Sequence, residues 1–65
     1  MKEKIIAVLS QTRTPMRARE ITTYTGGRPF DVSIALIDLE QEGAIIKIPH
    51  TDFLAGECYN SWLLA

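Results

Sequence analysis

Cysteine is almost absent from these 65 residues: Cys58 is the only one, so no disulfide can form within the chain, and the cross-linked scaffolds of small secreted domains are excluded. A reducing, cytoplasmic setting fits that usage. Histidine is equally scarce. His50 shares one stretch with Asp52 and Cys58, but three scattered donors lack the short-spaced Cys/His pairs that zinc favours, so no metal site is expected. Cys58 likewise has no base with an orienting third group, and no catalytic residue is expected. Long apolar runs are missing too. Ile5 to Leu9 is five residues, short of the roughly 7–15 of a signal-peptide core and far from a membrane span, so no membrane partner is expected. Gly26-Gly27-Arg28 lacks the Lys-Ser or Lys-Thr ending of a phosphate-cradling loop and reads as a turn. Neither a cofactor nor a small-molecule substrate is expected.

The most informative shortage is of positive charge in the second half. Residues 31–65 carry only Lys47 against Asp31, Asp38, Glu40, Glu42, Asp52 and Glu57, a net of −5. Residues 1–30 carry Lys2, Lys4, Arg13, Arg17, Arg19 and Arg28 against Glu3 and Glu20, a net of +4. The overall charge of −1 therefore hides a strong asymmetry, which points to a charged contact surface; the alternative is chance sorting of exposed residues in a short chain. A composition 46% hydrophobic and 23% charged belongs to one folded domain rather than a disordered chain. A core this small leaves stability marginal, so a partner subunit is an expected contributor.

Ile5, Val8 and Leu9 fall at i, i+3 and i+4, which predicts a first helix over about 2–11. Thr12-Arg13-Thr14-Pro15 ends it, because proline cannot continue the hydrogen-bond ladder. A second helix is predicted over about 18–24, with Met16 as a hydrophobic staple, Ile21 inward and Glu20 at the positive end. Arg17 holds its cap position, where Ser, Thr or Asp would add roughly 1 kcal/mol. Thr25-Gly26-Gly27 supplies a tight turn, and Pro29 starts a third helix over about 29–42, again with an arginine, Arg28, at the cap. Val32, Leu36 and Leu39 form its buried seam, and Gly43 is placed to end it in the left-handed conformation. Strands are predicted over about 44–49 and 59–64, paired around a loop from His50 to Cys58, with Trp62 closing the core. If Val32, Leu36 and Leu39 face inward, Ile34, Ile37 and Ile46 either form an exposed apolar patch that marks a protein contact, or one of them is absorbed by a wide core seam.

The segments Met16-Arg17-Ala18-Arg19-Glu20-Ile21, Thr25-Gly26-Gly27, and Val32-Ser33 through Leu36, Leu39, Glu40 and Gly43 to Ile45 together resemble bacterial winged helix-turn-helix regulators over nearly the whole chain. The short length, the apolar third helix and the aromatic last strand look most like the small pilus-operon regulators of the PapI and FaeA type. The resemblance implies an α+β fold, a three-helix bundle followed by a two-stranded antiparallel wing, with the third helix in the major groove of duplex DNA. Carried onto this sequence, it implicates Arg28, Phe30, Asp31, Ser33 and Ile34 near base edges, and Arg17, Arg19, Thr23 and Thr25 as phosphate neighbours. Ile34 and Asp38 stand where such regulators often carry polar or basic readers, and the wing loop has no cation. Any DNA contact is therefore lopsided, made by the first 30 residues, and a homodimer or a second regulatory protein would supply specificity. The competing expectation is a winged-helix protein-interaction module, with Ile34, Ile37 and Ile46 at its interface and no direct DNA contact.

Overall fold

A computed structural model describes residues 1–65. Its elements run α1 (Lys2–Thr12), β1 (Met16–Arg17), α2 (Ala18–Thr25), α3 (Pro29–Gln41), β2 (Ile45–Asp52) and β3 (Glu57–Leu64). The three strands form an antiparallel sheet in the order β1-β3-β2, one strand more than the two-stranded wing expected from sequence. Met16 pairs with Trp62 and Arg17 with Ser61. Two residues have no periodicity of their own, and only the strand beside them makes them a strand.

The β2–β3 hairpin runs in register from Ile45 opposite Leu64 to Asp52 opposite Glu57. Its turn is confined to residues 53–56, shorter than the expected loop, because His50 and Tyr59, then Thr51 and Cys58, continue the ladder. The Asp52 carboxylate accepts hydrogen bonds from the backbone N–H groups of Leu54 and Ala55, each at 3.1 Å, an Asx-type turn that orders the tip. Pro49, which has no N–H to give a ladder, lies on β2 at the sheet edge, where proline is tolerated.

The core draws on every layer: Ile5 and Leu9 from α1, Met16 from β1, Ile21 from α2, Val32, Ala35, Leu36 and Leu39 from α3, and Ile45 from β2. Met16 and Ile21 are both buried and flank the start of α2 as the staple requires. Trp62 and Leu64 pack against this cluster from β3. Each large apolar side chain buried here contributes about 1.5–3 kcal/mol, and the core contains eight of them and Ala35.

Helix ends follow from backbone chemistry. At the end of α3 the Ala44 N–H donates to the Leu39 carbonyl at 3.0 Å and the Gly43 N–H to the Glu40 carbonyl at 3.1 Å, the paired bonds of a Schellman motif. Gly43 sits at φ +79°, where a side chain is disfavoured. The end of α1 is a simpler left-handed cap, made without glycine: Arg13 takes φ 53° and ψ 20°, its N–H alone donating to the Leu9 carbonyl. Left-handed backbone costs an L-residue roughly 1–2 kcal/mol. Arg13→Gly is therefore expected to raise stability by about 1 kcal/mol and Gly43→Ala to lower it by a similar amount. Thermal melts check both, with shifts of roughly 4–8 °C per kcal/mol for a domain of this size. A Cβ at Gly43 would meet nothing within 4 Å, so that second shift reports backbone conformation alone.

Candidate nucleic-acid interface

The turn between α2 and α3 is closed by its own residues. Gly26 takes φ 70° and its N–H donates to the Thr22 carbonyl. The Thr25 hydroxyl donates to that same carbonyl and accepts from the Gly27 N–H, both at 3.3 Å. Thr25 therefore spends its hydroxyl inside the turn. Thr23, also assigned to phosphate contact from sequence, is exposed and donates its hydroxyl to the Arg19 carbonyl at 3.1 Å. Arg28 caps α3 in extended backbone at φ −85° and ψ 144°, with Pro29 behind it as the first helical residue.

The charges divide by residue type. Both ion pairs use lysine: Lys2 with Glu42, and Lys47 with Glu40 at 3.8 Å. No arginine is paired with a carboxylate. Arg17, Arg19 and Arg28 are all exposed. The Glu42 carboxylate beside Lys2 raises the ammonium pKa above its ordinary 10.5 through their hydrogen bond. Because the shift is upward, this pair is complete below that ordinary value and fades only as pH rises through the raised one.

Arg17 has a second tie that its sequence position does not reveal. Its backbone N–H donates to Glu20 Oε1 at 3.2 Å. The reciprocal cap cannot form, since a guanidinium has no acceptor. Instead the guanidinium carbon lies 4.1 Å from the centre of the Tyr59 ring, within cation–π range. Tyr59 is in turn stacked on His50, centroids 4.8 Å apart and planes 13° from parallel. One side chain from each strand thus forms a row, Arg17, Tyr59, His50, across the sheet face opposite Met16 and Trp62.

The outward side of α3 is apolar. Phe30, Ile34 and Ile37 are 74%, 45% and 55% exposed, and their i, i+4, i+7 spacing makes one stripe. On one flank Asp31 and Asp38 share a groove with Met1 and Lys2. On the other, Ser33, Ile37 and Glu40 face Lys47, Asn60 and Trp62 of the sheet. Ile46 is exposed as well, yet it does not join this stripe. Ile45 is buried against the core, so the neighbouring residue projects from the other side of β2. The isoleucine surface expected from sequence is thus divided between two faces.

Sequence reasoning gave no role to Tyr59, which holds Arg17, or to the wing tip, where Phe53 and Leu54 are 91% and 102% exposed. The aromatic character of the last strand was the available signal for Tyr59. Its pairing with an arginine more than 40 residues away depends on strand register.

A helix-turn-helix whose third helix runs through a glycine turn into an antiparallel hairpin is a winged helix-turn-helix, and the chain has that fold. Among solved structures it is similar to "Stf76 from the Sulfolobus islandicus plasmid-virus pSSVx", with a TM-score of 0.81 at 22% identity, over 97% of this chain and 78% of the other. No protein-family model and no curated protein matches the sequence.

The Arg17–Tyr59 contact is open to a double-mutant cycle. Tyr59→Leu is expected to cost about 1 kcal/mol through the lost ring contacts. After it, Arg17→Ala should cost about 0.5–1 kcal/mol less than it does in the parent. Denaturant unfolding of the four proteins measures that coupling.

Proposed function

We propose that this chain is a small transcription regulator that holds duplex DNA with α3 directed to the major groove and Arg17, Arg19 and Arg28 directed to phosphates. The observation that carries the reading is the position of the unpaired arginines. Arg13, Arg17 and Arg28 occupy the C-cap of α1 and the N-caps of α2 and α3, where glycine in the first case, and Ser, Thr or Asp in the others, would stabilise more. A cation at a helix N-terminus also opposes the macrodipole. Three arginines placed against local stability, each free of a carboxylate, fit an external anionic partner better than they fit folding.

Arg19, Phe30, Ser33 and Ile34 complete the contact, with Thr23 beside it; Thr25 contributes through the turn that sets the angle of α3. We place the protein with the small pilus-operon type of regulator by architecture and size, acting in the cytoplasm as a homodimer or beside a second regulatory protein. A lone copy neutralising about three to five phosphates would bind modestly, with a log–log salt slope of roughly −2.7 to −4.5.

Fluorescence anisotropy at several salt concentrations tests this. Arg28→Ser is expected to weaken binding to every duplex and flatten the slope by about 1. The same change should stabilise the free protein by about 1 kcal/mol through the new cap. Opposite signs for binding and stability are the signature of a functional cap; a variant that is more stable and binds no worse would refute the assignment of Arg28. A protein-interaction module is favoured by the apolar stripe on α3. It predicts no salt-dependent DNA binding at all, with Ile37→Ser abolishing a protein contact.

A further inference from the structure

We infer that the outward stripe of α3 reads thymine methyl groups, so that the preferred target is a T-rich major groove; this rests on the DNA-binding reading above. A recognition helix has few ways to distinguish bases. Guanine is met by Arg or Lys on O6 and N7, adenine by Asn or Gln on N6 and N7, cytosine by a carboxylate on N4, and thymine by apolar contact with its C5 methyl. The outward surface of α3 holds no Arg, Lys or Asn; its one amide, Gln41, is the last residue of the helix, and its exposed carboxylate, Asp31, lies to one side of the stripe in the first turn. Over the turns that enter a groove first, the stripe itself offers Phe30, Ile34 and Ile37, all exposed, with Ser33 beside them.

The charges agree with a groove partner of this kind. Two of the four carboxylates on or just beyond α3 are already held by lysines, Glu40 by Lys47 and Glu42 by Lys2. Arg28 stands at the helix start, where it can grip the phosphate flanking the first base read. An apolar stripe leaves major-groove hydrogen-bonding groups without partners on either base pair, O6, N7 and N4 on G·C and N7, N6 and O4 on A·T, and each costs free energy. Only thymine offers something in return, since its C5 methyl is buried methyl on methyl. The preference therefore rests on that attraction.

Replacing thymidine by deoxyuridine removes the C5 methyl and leaves pairing unchanged, which isolates this contact. Three 20-base-pair duplexes serve as probes in anisotropy titrations: alternating A·T, its deoxyuridine counterpart, and alternating G·C. Each buried methyl is worth roughly fourfold in affinity, so two or three contacts predict A·T binding tighter than A·U by about tenfold or more. Ile34→Ser and Phe30→Ser should each erase much of that ratio by weakening A·T binding more than A·U binding, while Ile34→Val keeps most of it. Both serine changes fall on exposed positions, and circular dichroism confirms that the variants are folded.

Salt-dependent binding with equal affinity for A·T and A·U overturns the inference and leaves the regulator reading standing. So does a loss in Ile34→Ser that is equal for both duplexes. If the serine variants change the sedimentation of the free protein and leave the A·T to A·U ratio intact, the stripe is a contact between copies and the inference fails. Absence of salt-dependent binding to all three duplexes removes the regulator reading and this inference together.

Discussion

The rotation of α3 about its own axis is set by one buried seam, and the rest of the surface follows from it. Val32, Ala35, Leu36 and Leu39 are all buried against α1, α2 and β2. At 100° per residue, burying these positions leaves 30, 34 and 37 no direction but outward. An α3 turned by one residue would carry Ser33 and Glu40 into the core in place of Val32 and Leu39, which are 0% and 3% exposed. The Schellman turn at Gly43 passes this fixed rotation on to β2. Ile45 enters the core directly after the turn, and with Ile45 inward, the face on which each later residue of the hairpin lies is decided.

The electrostatics divide by side-chain chemistry as well as by sign. Lysine, a strongly hydrated point charge on a flexible stem, pairs with carboxylates at the C-terminal end of α3. The arginines stay unpaired, and one of them rests its flat guanidinium on Tyr59. Guanidinium stacks on aromatic faces and forks onto phosphate oxygens better than ammonium does. The Tyr59 contact also uses only one face of the Arg17 group, and the in-plane N–H donors remain directed elsewhere. A cation held this way has already lost rotamer freedom, so a phosphate that meets it would cost less ordering entropy than one meeting a free side chain.

Much of the element plan is legible because proline and glycine act locally. Pro29 starts α3 and Gly43 ends it by rules that need no knowledge of the rest of the chain, and Val32, Leu36 and Leu39 announce their seam through period alone. The cap positions of Arg17 and Arg28 are legible for the same reason. Other features depend on neighbours distant in sequence. Met16–Arg17 becomes a strand only because Trp62 and Ser61 lie alongside, and the Arg17, Tyr59, His50 row exists only in one hairpin register. Strand alternation puts Ile46 on the face opposite Ile45, as it does here, but which sheet face adjoins the outer side of α3 depends on how the sheet packs, and Lys47 and Trp62, not Ile46, lie beside Ile37. Arg13 escaped notice because Pro15 seemed a sufficient reason for α1 to stop. The structure shows the stop is made by Arg13 itself, in a conformation that glycine would adopt more cheaply.

Unpaired arginines at three helix caps therefore form a pattern rather than three separate anomalies. The departures cost stability in a domain with only nine buried apolar side chains, and each could be relieved by a single substitution to a common residue. Local rules are most often broken where something other than folding sets the requirement. Helix ends in a helix-turn-helix are the parts that approach the DNA backbone, since the second helix crosses it and the third enters the groove by its first turn. Cations placed there would act at short range on phosphates, whereas the carboxylates of the second half, apart from Asp31 in the first turn of α3, lie farther along α3 and on the wing. Electrostatic interaction falls steeply with distance in salt, with a screening length near 8–10 Å under physiological conditions. A chain with a net charge of −1 can therefore attract a polyanion at one edge, provided its cations are the charges that touch.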